Sequence, residues 1–166
     1  MRDRPAVEVQ RGVRASERGA IEALLAATGF FNAEELSVAM ELVDERLTHG
    51  EASHYRFLVA TVDGEVGGYA CWGVIPGTVE SADLYWIAVH PGCQRRGVGR
   101  ALLAEAEAWM AAAGRPRVYI ETATREQYAP TRAFYLGCGY ELAAELTDYY
   151  APGDGKAIFV KVLRRP

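Results

Sequence analysis

Apolar and polar residues alternate from Ala6 to Val13, the period of a strand with one face covered. The period then lengthens. Ser16 stands in cap position ahead of Ile21, Leu24 and Leu25, and Gly29 closes that helix. Asn32 begins a second helix, with Glu35 three residues later as in a capping box. Its apolar stripe is Leu36, Met40, Val43 and Leu47, and Gly50 ends it. Tyr55–Val62 and Glu65–Val74 are rich in strand formers, and the Asp63-Gly64 pair between them predicts a hairpin. Another strand spans Ala82–Val89. After a glycine-bearing loop, a helix carries Val98, Leu102, Ala106, Trp109, Met110 and Ala113 on one face, stopped by Gly114 and Pro116. Arg117–Thr122 is a strand. A short helix starts near Pro130 and runs to Leu136, broken by Gly137 and Gly139. Tyr140–Leu146 and Ala157–Leu163 close the chain as a strand pair around the loop 151–155. The order β-α-α-β-β-β-α-β-α-β-β defines an α+β fold. Its central sheet is mixed and mostly antiparallel, with a parallel strand-helix-strand unit at Ala82–Thr122.

Composition narrows this picture little but excludes several classes. At 166 residues the chain is the length of one domain, taken as 1–166. A chain this long buries roughly 70% of its unfolded surface, so it needs no metal or disulfide to fold. Net charge is −4 with no basic run, which argues against general nucleic-acid binding. Apolar runs are only a few residues long, too short to span a membrane, and the charged N-terminal stretch MRDRPAVEVQRGVR lacks the core of a signal peptide. Cys71, Cys93 and Cys138 are odd in number and form no CxxC pair, so the cytoplasm is the expected setting. His49, His54 and His90 have no helix-spaced pair, and no metal site is expected. All but Lys156 and Lys161 of the basic residues are arginines, a bias of base composition and not of mechanism.

The loop Gln94-Arg95-Arg96-Gly97-Val98-Gly99 joins a buried strand to an amphipathic helix. The first amides of a helix lack carbonyl partners, the helix dipole favours an anion there, and glycines let a phosphate approach the backbone. Glycines serving only a tight turn are the plainer alternative, but three nearby arginines favour the anion. Spacing eliminates three phosphate motifs. Gly92 and Gly97 match a Walker loop, yet Val98-Gly99 follows where Lys-Ser/Thr must stand. A dinucleotide fingerprint finds Leu102 at its third glycine. A cysteine phosphatase needs Arg six residues after Cys93, and that position is Gly99. A Q/R-x-x-G-x-G/A pattern remains.

That pattern within LYWIAVHPGCQRRGVGRALL, together with the later AFYLGCGY, resembles the GNAT superfamily of N-acetyltransferases, in bacterial form. The likeness follows the element order along nearly the whole chain. It implies a single GNAT-type domain with acetyl-coenzyme A as co-substrate and no metal. The amides of Gln94, Arg95, Arg96, Gly97, Val98, Gly99 and Arg100 would hold the donor's pyrophosphate. The backbone of Ile87, Ala88 and Val89 would pair with its pantetheine as an added strand. Tyr128 stands where many members carry Asn. The ending TDYYAPGDGKAIFVKVL is similar in style to bacterial ribosomal-protein alanine acetyltransferases, which suggests a peptide or amino-acid acceptor.

Direct transfer from a thioester needs a neutral amine and a stabilised leaving thiolate. An amine of pKa near 8 is roughly a tenth neutral at pH 7, and a lysine near 10.4 about 0.04% neutral, so a general base matters more for lysine-like acceptors. Glu121, ending its strand, matches the base position of the ribosomal-protein enzymes. Asp83, beginning the central strand, matches a catalytic Glu of other members. Each is alternatively a solvated strand-end charge, and a water chain remains a third option. In the pair Phe134-Tyr135 the resemblance makes Tyr135 the proton donor, while Phe134 is the expected core residue. His90 contacts a phosphate or shapes a turn, and Cys93 is incidental beside Arg95 and Arg96. Tyr149 and Tyr150 line the acceptor cleft or pack on the sheet. The expected partner is a small-molecule or peptide amine, the expected state a monomer or homodimer. A rival reading is a non-catalytic acyl-CoA sensor on the same fold.

Overall fold

The computed structural model describes residues 6–165. The first five residues, on which the expectation about a signal peptide partly rests, and the last one lie outside them. The elements follow the expected order. They are β1 (Val7–Arg11), α1 (Arg18–Thr28), α2 (Ala33–His49), β2 (Tyr55–Val62), β3 (Glu65–Val74), β4 (Ser81–Val89), α3 (Val98–Ala112), β5 (Arg117–Ala123), α4 (Ala129–Gly137), β6 (Glu141–Ala151) and β7 (Asp154–Val162). The strand order is β1-β2-β3-β4-β5-β7-β6, mixed through one parallel pair, β4 with β5. The chain clusters into two compact units that divide β4 between them at Tyr85 and Trp86.

The first unit holds residues up to Gly73 together with Trp86–Ala106. Its β1, β2 and β3 are antiparallel neighbours. Asp63 and Gly64 both take positive φ, 53° and 87°, as a two-residue type I′ turn requires. Helices α1 and α2 bury their apolar stripes against the strands. Ile21, Leu24, Leu25, Ala39, Met40 and Val43 meet Phe57, Val59, Tyr69 and Cys71 in one core. The capping box is present: Asn32 Oδ1 accepts from the Glu35 amide at 2.8 Å, and the Glu35 carboxylate accepts from the Asn32 amide at 2.9 Å. Ser16 does not cap α1. A single 3₁₀ turn, Ala15–Glu17, precedes the helix, and the Glu17 carboxylate accepts from the Arg14 amide at 2.8 Å instead. Ser16 lies inside that turn, so the cap position of the helix falls to Glu17 and not to the serine. On β3, a Cβ at Gly68 would lie 3.0 Å from the Ala88 carbonyl oxygen, Leu102 and Val98. A side chain there would push β4 and α3 back by a few tenths of an ångström, so glycine suits this close approach.

The second unit holds Val74–Tyr85 and the residues from Glu107 onward. Ser81↔Arg117 to Leu84↔Ile120 forms the parallel ladder, and β7 pairs antiparallel with β5 on one side and β6 on the other. The α3 stripe is buried in both units, Val98, Leu102, Leu103 and Ala106 in the first and Met110 in this one, while Ala113 lies past the helix end and is exposed. On α4 the buried aromatic is Tyr135, not Phe134. Its ring lies 6.0 Å from Phe159 and 6.1 Å from Tyr140. Lys161 ties β7 to Glu107 at 3.0 Å and to the Cys138 carbonyl at 2.9 Å. The closing hairpin is longer than its composition suggests. Ala151 pairs with Asp154, so only Pro152-Gly153 forms the turn, with Gly153 at φ 83° in the position a type II turn reserves for glycine. Every residue of β6 is exposed.

Candidate active site

In the first unit, β4 runs through Ile87, Ala88 and Val89 into a tight turn. The His90 amide donates to the Gly67 carbonyl at 2.9 Å, and His90 Nδ1 accepts from the Gly92 amide at 3.0 Å. His90 is therefore the shaper of that turn. Arg95 and Gly97 follow at φ 61° and 84°. A Cβ at Gly97 would meet nothing within 4 Å, so backbone conformation, and not crowding, favours glycine there. The first backbone bond closing onto α3 runs from the Ala101 amide to the Gly97 carbonyl at 3.0 Å. The Val98, Gly99 and Arg100 amides precede it and have no partner in the helical ladder. Gln94, Arg95, Arg96, Gly97 and Arg100 are exposed. A run of available amides, an open glycine and three arginines suits a phosphate-bearing ligand. The β4–β5 ladder stops at Leu84 while β4 continues to Val89, so Ile87–Val89 lie beyond that pairing. Their backbone is suited to accepting an added strand.

In the second unit, Asp83 pairs in register with Tyr119 on β5, and Glu121 lies two residues further on. Period-2 alternation puts the two carboxylates on one sheet face. Asp83 is half-buried and, among the described residues, its carboxylate makes no hydrogen bond or ion pair. Burial pushes its pKa up to about 6; the Glu121 charge adds to the rise and Lys156 opposes it. Glu121 is more open and pairs with Lys156 at 2.7 Å. Lys156 also stands 4.2 Å above the Tyr149 ring, and Tyr149 packs edge-on against Tyr150 at 5.0 Å. Burial alone would lower the Lys156 pKa, but hydrogen bonds to Glu121 and Tyr149 raise it above its ordinary value.

Tyr135 lies apart from this group. It packs against Phe159, whereas Glu121 is in register with Ile158, the adjacent residue on β7. Adjacent strand residues face opposite ways, so Tyr135 meets the sheet from the side away from Asp83 and Glu121. Burial pushes its phenol well up, with the Cys138 thiol adding to it. Tyr128 sits in the turn before α4 with the Arg125 guanidinium 5.1 Å from its ring centroid. Sequence reading singled out Asp83, Glu121, Tyr135 and the loop but passed over Lys156. Its signal lay in pairing: with β5 and β7 antiparallel, Lys156 opposes Ala123, diagonal to Glu121 on the same face.

The acetyltransferase (GNAT) family matches residues 20–140, and the chain belongs to it. It is similar to the ribosomal protein bS18-alanine N-acetyltransferase of Escherichia coli, 26% identical over 126 residues, 76% of this chain and 82% of that one. A crystal structure assigned to the GNAT family, from Desulfovibrio desulfuricans, is 43% identical with a TM-score of 0.92, covering 96% of this chain and all of that one. YncA of Salmonella typhimurium, solved with its cofactor acetyl-CoA, shares the fold at 17% identity and a TM-score of 0.74, covering 97% and 96% of the two chains. Among the described residues no group of three or more His, Cys, Asp and Glu side chains could hold a metal, and no helix is long and apolar enough to cross a membrane.

Proposed function

We propose that this chain, as one catalytic domain over residues 1–166, transfers the acetyl group of acetyl-coenzyme A to a primary amine in a ternary complex. The observation that carries the reading is the carboxylate pair Asp83 and Glu121 on one face of β4 and β5, with Asp83 free of partners and raised to about 6. A base tuned toward neutral pH is what amine deprotonation needs, and a donor-binding sensor has no use for one. The donor supplies an activated thioester. The amides from Arg95 to Arg100 hold its pyrophosphate, while the Gln94 amide, expected among them, donates instead to the Pro91 carbonyl at 3.4 Å; the Ile87–Val89 backbone pairs with its pantetheine.

In this reaction a C–N bond forms to the acetyl carbon as the C–S bond breaks. Asp83 takes the proton that the amine loses. The Tyr135 hydroxyl, reaching from the other side of the sheet, hydrogen-bonds to the developing thiolate, and the thiolate released as CoA takes its proton from water. No side chain becomes acylated. The acceptor that fits a base near 6 is a weakly basic amine. Proton transfer from an α-ammonium near 8 to such a base is uphill by about 2 units, and from a lysine near 10.4 by about 4. An amino acid, a peptide N-terminus or a small amine of low basicity is therefore favoured, and the bS18-alanine relative supports an N-terminal acceptor. The three cysteines, none in a disulfide among the described residues, agree with a cytoplasmic setting.

A thiol-release assay with acetyl-CoA and a panel of α-amines, lysine analogues and N-terminal peptides tests this. Turnover with an α-amine, reduced about 10²-fold or more by Asp83→Asn, supports it. CoA binding without release on any amine would favour the sensor.

A further inference from the structure

We propose that Lys156 is a positioning residue that assigns the base role within the carboxylate pair: its ammonium occupies Glu121 and leaves Asp83 as the proton acceptor. This rests on the reading of the site as an amine acetyltransferase. Lys156 is held from three sides. Its backbone pairs with Leu146, its Nζ lies 2.7 Å from Glu121, and it stands 4.2 Å over the Tyr149 ring. Its side chain is only 12% exposed, so water competes weakly for the ammonium, whereas Glu121 is 48% exposed. To take a proton, Glu121 must give up a charge-assisted contact. Asp83 gives up none. Two carboxylates that the sequence offers as alternative bases, Glu121 foremost, are thus made unequal by one cation on a third strand.

The groups facing Asp83 are few. Tyr85 follows it on the same face of β4, Tyr119 and Glu121 lie on β5, and Lys156 lies on β7. Tyr149 and Tyr150 approach Lys156 from β6, and Asp154 sits at the turn, where it pairs with Arg125 at 3.8 Å. Of these Glu121 and Lys156 bear on Asp83 with opposite signs, the carboxylate favouring its protonated form and the ammonium its charged form. Removing the ammonium therefore leaves the negative neighbour unbalanced and favours the protonated form of Asp83.

The test follows the Asp83 carboxyl carbon by NMR titration and the pH profile of kcat/KM, in the wild type, Lys156→Met and Lys156→Arg. In Lys156→Met the Asp83 midpoint should rise by about half a unit and the acidic limb of kcat/KM should move with it. Lys156→Arg, which keeps the charge, should retain the wild-type limb. In the wild type Asp83→Asn should cost about 10²-fold or more and Glu121→Gln under about threefold; in the Lys156→Met background Glu121→Gln should become the costlier change. An unmoved Asp83 midpoint in folded Lys156→Met overturns the proposal. So does a wild-type protein in which Glu121→Gln costs more than Asp83→Asn, a comparison that does not depend on the Lys156 variants folding. Absence of acetyl transfer to any amine would instead remove the functional reading, and the carboxyl titration would still decide whether Lys156 biases the pair.

Discussion

Asp83 binds a proton more tightly in the folded protein than in the unfolded chain, because half-burial beside Glu121 raises it from 3.8 to about 6. Two consequences follow with opposite signs. A base must be unprotonated, so kcat/KM should rise with pH through about 6 and level off above it, which a pH-rate profile checks. Stability runs the other way. Between about 4 and 6 the folded state binds the extra proton, so stability falls as pH rises through that window, and above it the full cost of the buried charge is present. Asp83→Asn should therefore stabilise the protein at pH 7.5, by about 1 kcal/mol after allowing for solvent screening of a half-exposed group, while lowering turnover. Thermal melts of the two proteins at pH 4 and 7.5 should show the gain only at the higher pH. Tyr135 poses the converse problem. Its ring packs on Phe159 and Tyr140, and its burial disfavours ionisation. It serves better as a hydrogen-bond donor to developing thiolate charge than as a free acid. Tyr135→Phe keeps the packing and removes only the hydroxyl. We expect kcat to fall about tenfold or more, with little change in melting temperature or acetyl-CoA affinity. An unchanged kcat would return Tyr135 to a packing role.

Elements were legible where a local rule sets them. The capping box at Asn32 and the Asp63-Gly64 turn are decided within four residues, and both are present. The closing hairpin was not, because Pro and Gly mark turns only on average. Gly155 lies inside β7, where a Cβ would come 2.6 Å from the Leu146 carbonyl oxygen, so it is a glycine of close approach and not of the turn. The loop before α3 gives the sharper prediction at this scale. At Gly97 a side chain would be strained by the φ of 84° but would displace no protein atom. Gly97→Val should thus cost about 1–2 kcal/mol of stability and leave a folded protein. Its β-branched side chain would nevertheless obstruct a phosphate approaching the backbone. Calorimetric titration of CoA should show binding lost in this variant, and wild-type affinity in a folded Gly97→Val protein would remove the loop from the donor site.

At the scale of the whole chain, what the sequence concealed was pairing between distant strands. Nothing near Lys156 announces Glu121, thirty-five residues away; antiparallel register between β5 and β7 puts them in contact. Charge at this scale also conceals a local opposite. The protein carries −4, yet the donor loop presents Arg95, Arg96 and Arg100, all exposed. Coenzyme A is an anion, so the net charge and the loop predict salt effects of opposite sign. If the overall charge governed encounter, salt would screen repulsion and tighten binding. If the three arginines govern it, salt screens attraction and weakens binding, because a Debye length of roughly 10 Å at 0.1 M already isolates the loop from distant carboxylates. We expect the second. Raising NaCl from about 50 to 500 mM should weaken CoA binding by about tenfold, and the double variant Arg95→Gln, Arg96→Gln should lose most of that dependence along with affinity. Binding that tightens with salt, or a double variant with the wild-type salt slope, would mean that the backbone amides hold the pyrophosphate without help from these side chains.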